Sequence, residues 1–201
     1  MPMERSRQGY VDIELTAWHE AAHAVVALHH RRPVQDIRVS TRLPGDGCTR
    51  LGPRMRWPVF EPTPGNIRAV WLQTLAKYQA DIRIFLAGPL AEAKLLATPL
   101  RSLGARSDLQ RAERCHDFLV DAYRYLSRYC ALPKPLPADW LACERRYTRR
   151  LVARPRHWQA IGAVAAALLR QRQVHAVELT ALIQSALDSH RSDRTMGLFM
   201  S

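Results

Sequence analysis

With 201 residues, 47% of them hydrophobic, the chain is long enough to bury a real core and too apolar for a disordered polyelectrolyte. Its formal charge of +12 comes from 30 cations against 18 acids, and all but three of those cations (Lys77, Lys94, Lys134) are Arg. The balance bears on solubility and on acidic partners, and excludes no chemistry by itself.

In chain order, the periodicity predicts a mainly α fold with a small β-hairpin or sheet. Asp12–His30 holds no Gly or Pro and places Leu15, Ala22, Val25, Val26 and Leu28 on one broad apolar stripe, so it reads as a helix that Pro33 ends. Val34–Ser40 alternates at Ile37 and Val39 and reads as a strand; Thr41–Pro64 reads as hairpin and loop, with a second strand near Cys48–Leu51. Asn66 is expected to cap a helix over Ile67–Ala97, which Gly88-Pro89 should kink or split. Ser107 and Gln110 form a capping box for a helix over Asp108–Tyr129. After the proline-rich connector Ala131–Pro137, helices are expected at Ala138–Ala153, His157–Arg170 and Ala176–Ser189.

No segment predicts a membrane span, since the longest apolar run, Ala160–Leu169, is about half of one. The first residues lack the apolar stretch of a secretory signal, and no P-loop pattern occurs. Cys48, Cys115, Cys130 and Cys143 form no CxxC pair and read as free thiols of a reducing compartment, so the expected location is cytoplasmic.

The informative residues are His19, Glu20 and His23, an HExxH motif inside the first helix. Positions i and i+4 project from one helical face, so both imidazoles can reach one zinc ion, and Glu20 falls beside the metal as a general base. With this composition the motif would arise by chance about 0.01 times per chain. A catalytic zinc needs a third protein ligand. Glu92 and Asp108 are the leading candidates, with Cys115 and His116 behind them, and periodicity does not choose.

TAWHEAAHAVVAL resembles the active-site helix of the peptidase domain of FtsH-type AAA zinc metalloproteases, whose usual motif is HEAGH. VQDIRVSTRLPG followed by TRLG, LAGPLAEAKL, GARSDLQRA and the closing segments RRLVARPRHWQAIGAVAAALL and VELTALIQSAL resemble further segments of that family in the same order. The resemblance covers roughly Asp12–Leu187. It implies one helical zinc-peptidase domain over 1–201, with about 1–10 and 190–201 as flexible tails. It further implies zinc on His19, His23 and Asp108, Glu20 as general base, and Glu92 as a carboxylate orienting a ligand histidine. The implied activity is a metalloendopeptidase that cuts unfolded or flexible protein segments without an ATPase or membrane anchor of its own, with a separate ATPase or adaptor as a partner and a homo-oligomer, a hexamer in the family. Three departures stand out: Ala22 for the motif's Gly, Gly88-Pro89 for Gly-Gly-Arg, and Ala93 for a second acid after Glu92. The strand Val34–Ser40 is expected to receive an extended substrate by strand addition.

Two other classes compete. One is a non-catalytic zinc-binding regulatory module. The other is a basic nucleic-acid-associated protein, suggested by Arg145, Arg146, Arg149, Arg150, Arg154 and Arg156 with Tyr147 and Trp158 nearby.

Overall fold

The computed structural model describes residues 2–40, 45–53, 62–100 and 106–197. Six helices and three strands follow in the order α1 (Pro2–His29), β1 (Val34–Val39), β2 (Gly47–Leu51), α2 (Ile67–Leu95), α3 (Arg106–Leu126), α4 (Trp140–Ala153), α5 (Pro155–Gln171), β3 (Gln173–His175) and α6 (Ala176–Gly197). The chain is thus mainly helical with one small sheet. No described helix is long and apolar enough to cross a membrane. Helix α1 begins before the predicted Asp12, and α6 runs past the predicted Ser189. Part of the expected Thr41–Pro64 loop, Met1 and residues 198–201 lie outside the described residues.

Helix α1 supplies a run of small buried residues, Ala17, Ala21, Ala22 and Ala24, that lets α2 and α5 approach closely. It stops where Arg31 turns into the left-handed region (φ 55°) and the Arg32 N–H bonds back to the Ala27 carbonyl at 2.8 Å. That closure satisfies carbonyls the helix end would leave orphaned, and Pro33 follows it.

The sheet is antiparallel in the order β2-β1-β3, with Ile37 paired to Thr49 on one side and to Val174 on the other. Strand β1 is therefore the central strand, which overturns the expectation that it pairs with substrate: its neighbours on both sides are already hydrogen-bonded to it. The two edge strands among the described residues are β2 and the short β3. Strand β3 has no sequence signal, being three residues long with a single inward side chain, Val174; it pairs because Arg172 (φ 66°) turns the chain after α5 back onto β1.

Helix α2 runs as one element through Gly88-Pro89, so the pair does not split it. A helix-interior proline costs about 3 kcal/mol. Here Leu86, Ala87, Leu90 and Ala91 on either side of it are buried, so packing holds the helix together. Asn66 occupies the cap position, but its side chain accepts from the Thr63 N–H at 2.7 Å and makes no cap bond. Helix α3 already includes Arg106, which places Ser107 inside the helix, so the expected capping box does not form at its head.

Two apolar cores flank α2. One gathers α1, β1, α5 and α6 around Ile37, Ile161, Leu168 and Leu179, with Ile84, Ala87 and Ala91 from α2. The other joins Ile82, Leu86 and Leu90 of α2 to α3 and to Trp140. Within it, Trp71 Nε1 donates to the Pro133 carbonyl at 2.8 Å and ties the connector down. Helix α2 is the shared wall through which residues of α1 and α3 are brought to one place.

Where α1 ends against the start of α5, His157 Nε2 lies 3.3 Å from His29 Nδ1, and Arg83, Arg154 and Arg156 bear on the cluster. Burial, then Arg83 and His29, push His30 down to about 4; burial, then His29, Arg156 and Arg154, push His157 down to about 4. An unfolded chain takes up protons at these residues near pH 6.5, before the folded chain does. Their contribution to stability is therefore present above about pH 6.5 and is lost as pH falls from there toward 4. We expect the melting temperature to drop by a few degrees for each histidine between pH 7 and 4.5, and a His157→Gln variant to show a smaller drop, as read by thermal circular dichroism.

Candidate metal centre

His19 and His23 leave α1 on the face turned toward α2, one turn apart as their spacing requires. Asp108 reaches them from the first turn of α3, across α2. Three atoms converge. His19 Nε2 lies 2.9 Å from His23 Nε2 and 2.9 Å from Asp108 Oδ2, and His23 Nε2 lies 3.3 Å from the same Oδ2. The three residues form the one group of potential metal ligands that comes together in this way among the described residues.

The far sides of the rings fix their tautomers. His23 Nδ1 sits 2.6 Å from the Ile84 carbonyl, which can only accept, so this nitrogen carries the proton. His19 Nδ1 sits 2.6 Å from Glu92 Oε1 and donates in the same manner. With Nδ1 protonated on both rings, both Nε2 atoms face each other and a carboxylate oxygen, an arrangement that favours positive charge between them, whether a proton or a metal ion. Ligand atoms around a small ion bonded at about 2 Å lie roughly 3.3 Å apart in a tetrahedral set, close to the spacing seen.

The electrostatics agree. Burial opposes charge on His19, but the Asp108 and Glu92 hydrogen bonds and the Glu20 charge outweigh it and raise its pKa to about 10. Burial likewise opposes the Asp108 charge, and the hydrogen bonds from His19 and His23 hold its carboxyl well below the usual range.

Gly88 supplies the remaining space. A Cβ there would lie 2.5 Å from His19 Nε2 and 2.6 Å from His23 Nε2, so a side chain would fill the point of convergence. This explains Gly88 as the point where α2 comes close to the histidines. Two imidazoles, one carboxylate and a gap kept open by a glycine are a donor set that fits zinc.

Glu20 stands beside the three atoms and is buried. Strand β2 crosses over it: Thr49 Oγ1 lies 2.6 Å from Glu20 Oε2 and 3.0 Å from its backbone carbonyl. A Cβ on Gly47 would lie 2.7 Å from Glu20 Cγ, so the strand passes this close only because residue 47 is glycine. His19, Glu20, His23, Gly47, Thr49 and Asp108 line one cavity of about 510 Å3, which also includes Arg111, 3.6 Å from Asp108 Oδ1.

Of the residues singled out from sequence, His19, Glu20, His23, Glu92 and Asp108 meet here. Of the two leading candidates for third ligand, Asp108 points at the convergence of Nε2 atoms and Glu92 at the opposite nitrogen of His19. Cys115 and His116 lie elsewhere: Cys115 packs against the second core, and the His116 ring stacks on Trp140 with centroids 5.9 Å apart. Thr49, Gly47, Gly88, Arg111 and the Ile84 carbonyl were not legible as site groups, because each acquires its role through contact between distant elements.

About half of the chain is similar in sequence to zinc metalloproteases. Over 101 residues, 49% of its length, it is 37% identical to the ATP-dependent zinc metalloprotease FtsH of Veillonella parvula. Over 100 residues it is 33% identical to the ATP-dependent zinc metalloprotease FtsH 1 of Thermomicrobium roseum. The matched region spans 13% of the length of each of these relatives. No family model matches the chain.

Proposed function

We propose that this chain is a zinc-dependent endopeptidase that cuts unfolded or flexible protein segments, with His19, His23 and Asp108 as metal ligands and Glu20 as general base. The observation that carries the reading is the convergence of three donor atoms beside the buried Glu20 carboxylate in one cavity. Zinc held there would supply Lewis acidity toward a peptide carbonyl and toward water.

The chain's own residues supply the rest. Glu20 accepts a proton from the attacking water and hands it to the leaving nitrogen. Thr49 holds the Glu20 carboxylate in place by donating to it. Glu92 and the Ile84 carbonyl keep each ring's Nε2 free to bind. Strand β2 offers its open edge to an extended peptide, the role first expected of β1. Arg111 brings a positive charge to the same cavity, where charge develops on the substrate oxygen. A folded substrate would have to be unfolded first, by an ATPase joined to this chain or separate from it.

Metal analysis joined to a peptide-library digest tests this. Freshly purified chain, prepared without chelators, is expected to contain zinc and to cleave library peptides. Stripping the metal should abolish cleavage, and restoring zinc should recover it. Absence of zinc from the fresh protein would overturn the reading.

A further inference from the structure

A second cavity, of about 460 Å3, opens between α2 and α4 and shares no lining residue with the first. Helical spacing separates the two: Glu92 turns toward His19, whereas Leu90, Ala93 and Lys94 border the second cavity. Buried Leu90 and Val152 make its floor apolar, while Lys94, Arg145, Arg146 and Arg149 stand around it, and no carboxylate among the described residues lines it.

Of the two acids of α4 and its start, one is committed elsewhere and the other neutralises one of the cavity's own arginines. Glu144 is buried against Arg83 and Gln79, each at 2.5 Å, and Asp139 pairs with Arg146 at 3.1 Å. Lys94 lies over the Trp158 ring, 3.9 Å from its centroid. Arg145 and Arg149 sit one turn apart on the same helix face, like charges that repel, and neither has an acidic partner among the described residues. The sequence marked this arginine run; the fold places part of it around a concave apolar floor, where low-dielectric walls concentrate its field.

We propose that this cavity docks an acidic peptide segment bearing an apolar side chain. The arginines are strung along α4 at i, i+1 and i+4 and do not converge on a point, which suits successive carboxylates on a chain better than a single phosphate. Arg forks bind carboxylates through paired, charge-assisted hydrogen bonds, while the apolar side chain covers Leu90 and Val152. Single-stranded nucleic acid fits less well: no aromatic ring among the described residues lines the floor, and the nearby Trp158 already carries Lys94, so bases lack a stacking face. The volume lies within the range of ligand-binding pockets.

Fluorescence anisotropy with a labelled peptide of alternating Glu and Leu tests the proposal, using the full chain carrying Glu20→Gln so that the probe is not cut. The peptide is expected to bind, and an alternating Lys and Leu peptide is not. Arg145→Glu with Arg149→Glu should weaken binding by about tenfold or more at physiological salt. Ala153→Trp, which fills the cavity without changing charge, should weaken it as well. Arg124→Glu with Arg170→Glu, an equal charge change away from the cavity, should leave affinity within about twofold. Circular dichroism checks that each variant is folded, and Ala153→Trp decides the matter if the double reversal is not. Failure of the parent chain to bind would overturn the proposal, as would equal weakening by the distant pair. So would tighter binding of duplex DNA that is lost on reversal of Arg145 and Arg149.

Discussion

Glu20→Gln is expected to cut peptide hydrolysis by about 10³-fold or more while zinc content stays that of the unaltered chain. The amide keeps the shape of the carboxylate and can still accept from Thr49, whose hydroxyl lies 2.6 Å from Oε2. What it loses is the ability to take up and return a proton. Because Glu20 stands beside the convergence of His19, His23 and Asp108 and is not one of the three, metal binding should not depend on it. Parallel assays of zinc content and initial cleavage rate separate the two roles. An inert parent and an equally inert variant, both retaining zinc, would favour a non-catalytic zinc module.

The second large effect concerns the two carboxylates. Asp108→Asn should weaken zinc binding by more than about 100-fold, whereas Glu92→Gln should cost within roughly 10–100-fold. The reason is the nitrogen each one faces. Asp108 Oδ2 lies 2.9 Å from His19 Nε2 and 3.3 Å from His23 Nε2, on the side where a metal would sit. Glu92 Oε1 lies 2.6 Å from His19 Nδ1, on the opposite side of the ring, and acts on the metal only through that ring. Zinc competition titrations with a chromogenic chelator read the two affinities directly, and the reverse order would exchange the assignments.

Much of the fold follows from local rules. The apolar stripe of α1 and the alternation of Val34–Val39 appear in the helix and strand where they were read. Local rules fail where packing overrides them. Pro89 stays inside α2 because both flanks are buried, and β3 exists because β1 has an open side for three residues to pair with. Caps are another case, since Asn66 turned to a nearer donor, the Thr63 N–H.

The same division runs through the site. His19, Glu20 and His23 are legible because one helix turn sets their mutual geometry, with no other element needed. Asp108 lies 85 residues beyond His23, and its side chain arrives only because α3 packs on α2 and α2 on α1. Sequence alone therefore determined the motif, the mainly helical class and the excess of arginine. Tertiary structure alone decided which carboxylate meets which nitrogen, which strand lies at the centre of the sheet, and which arginines surround a cavity. Those outcomes depend on contacts between segments far apart in the chain, and periodicity carries no record of them.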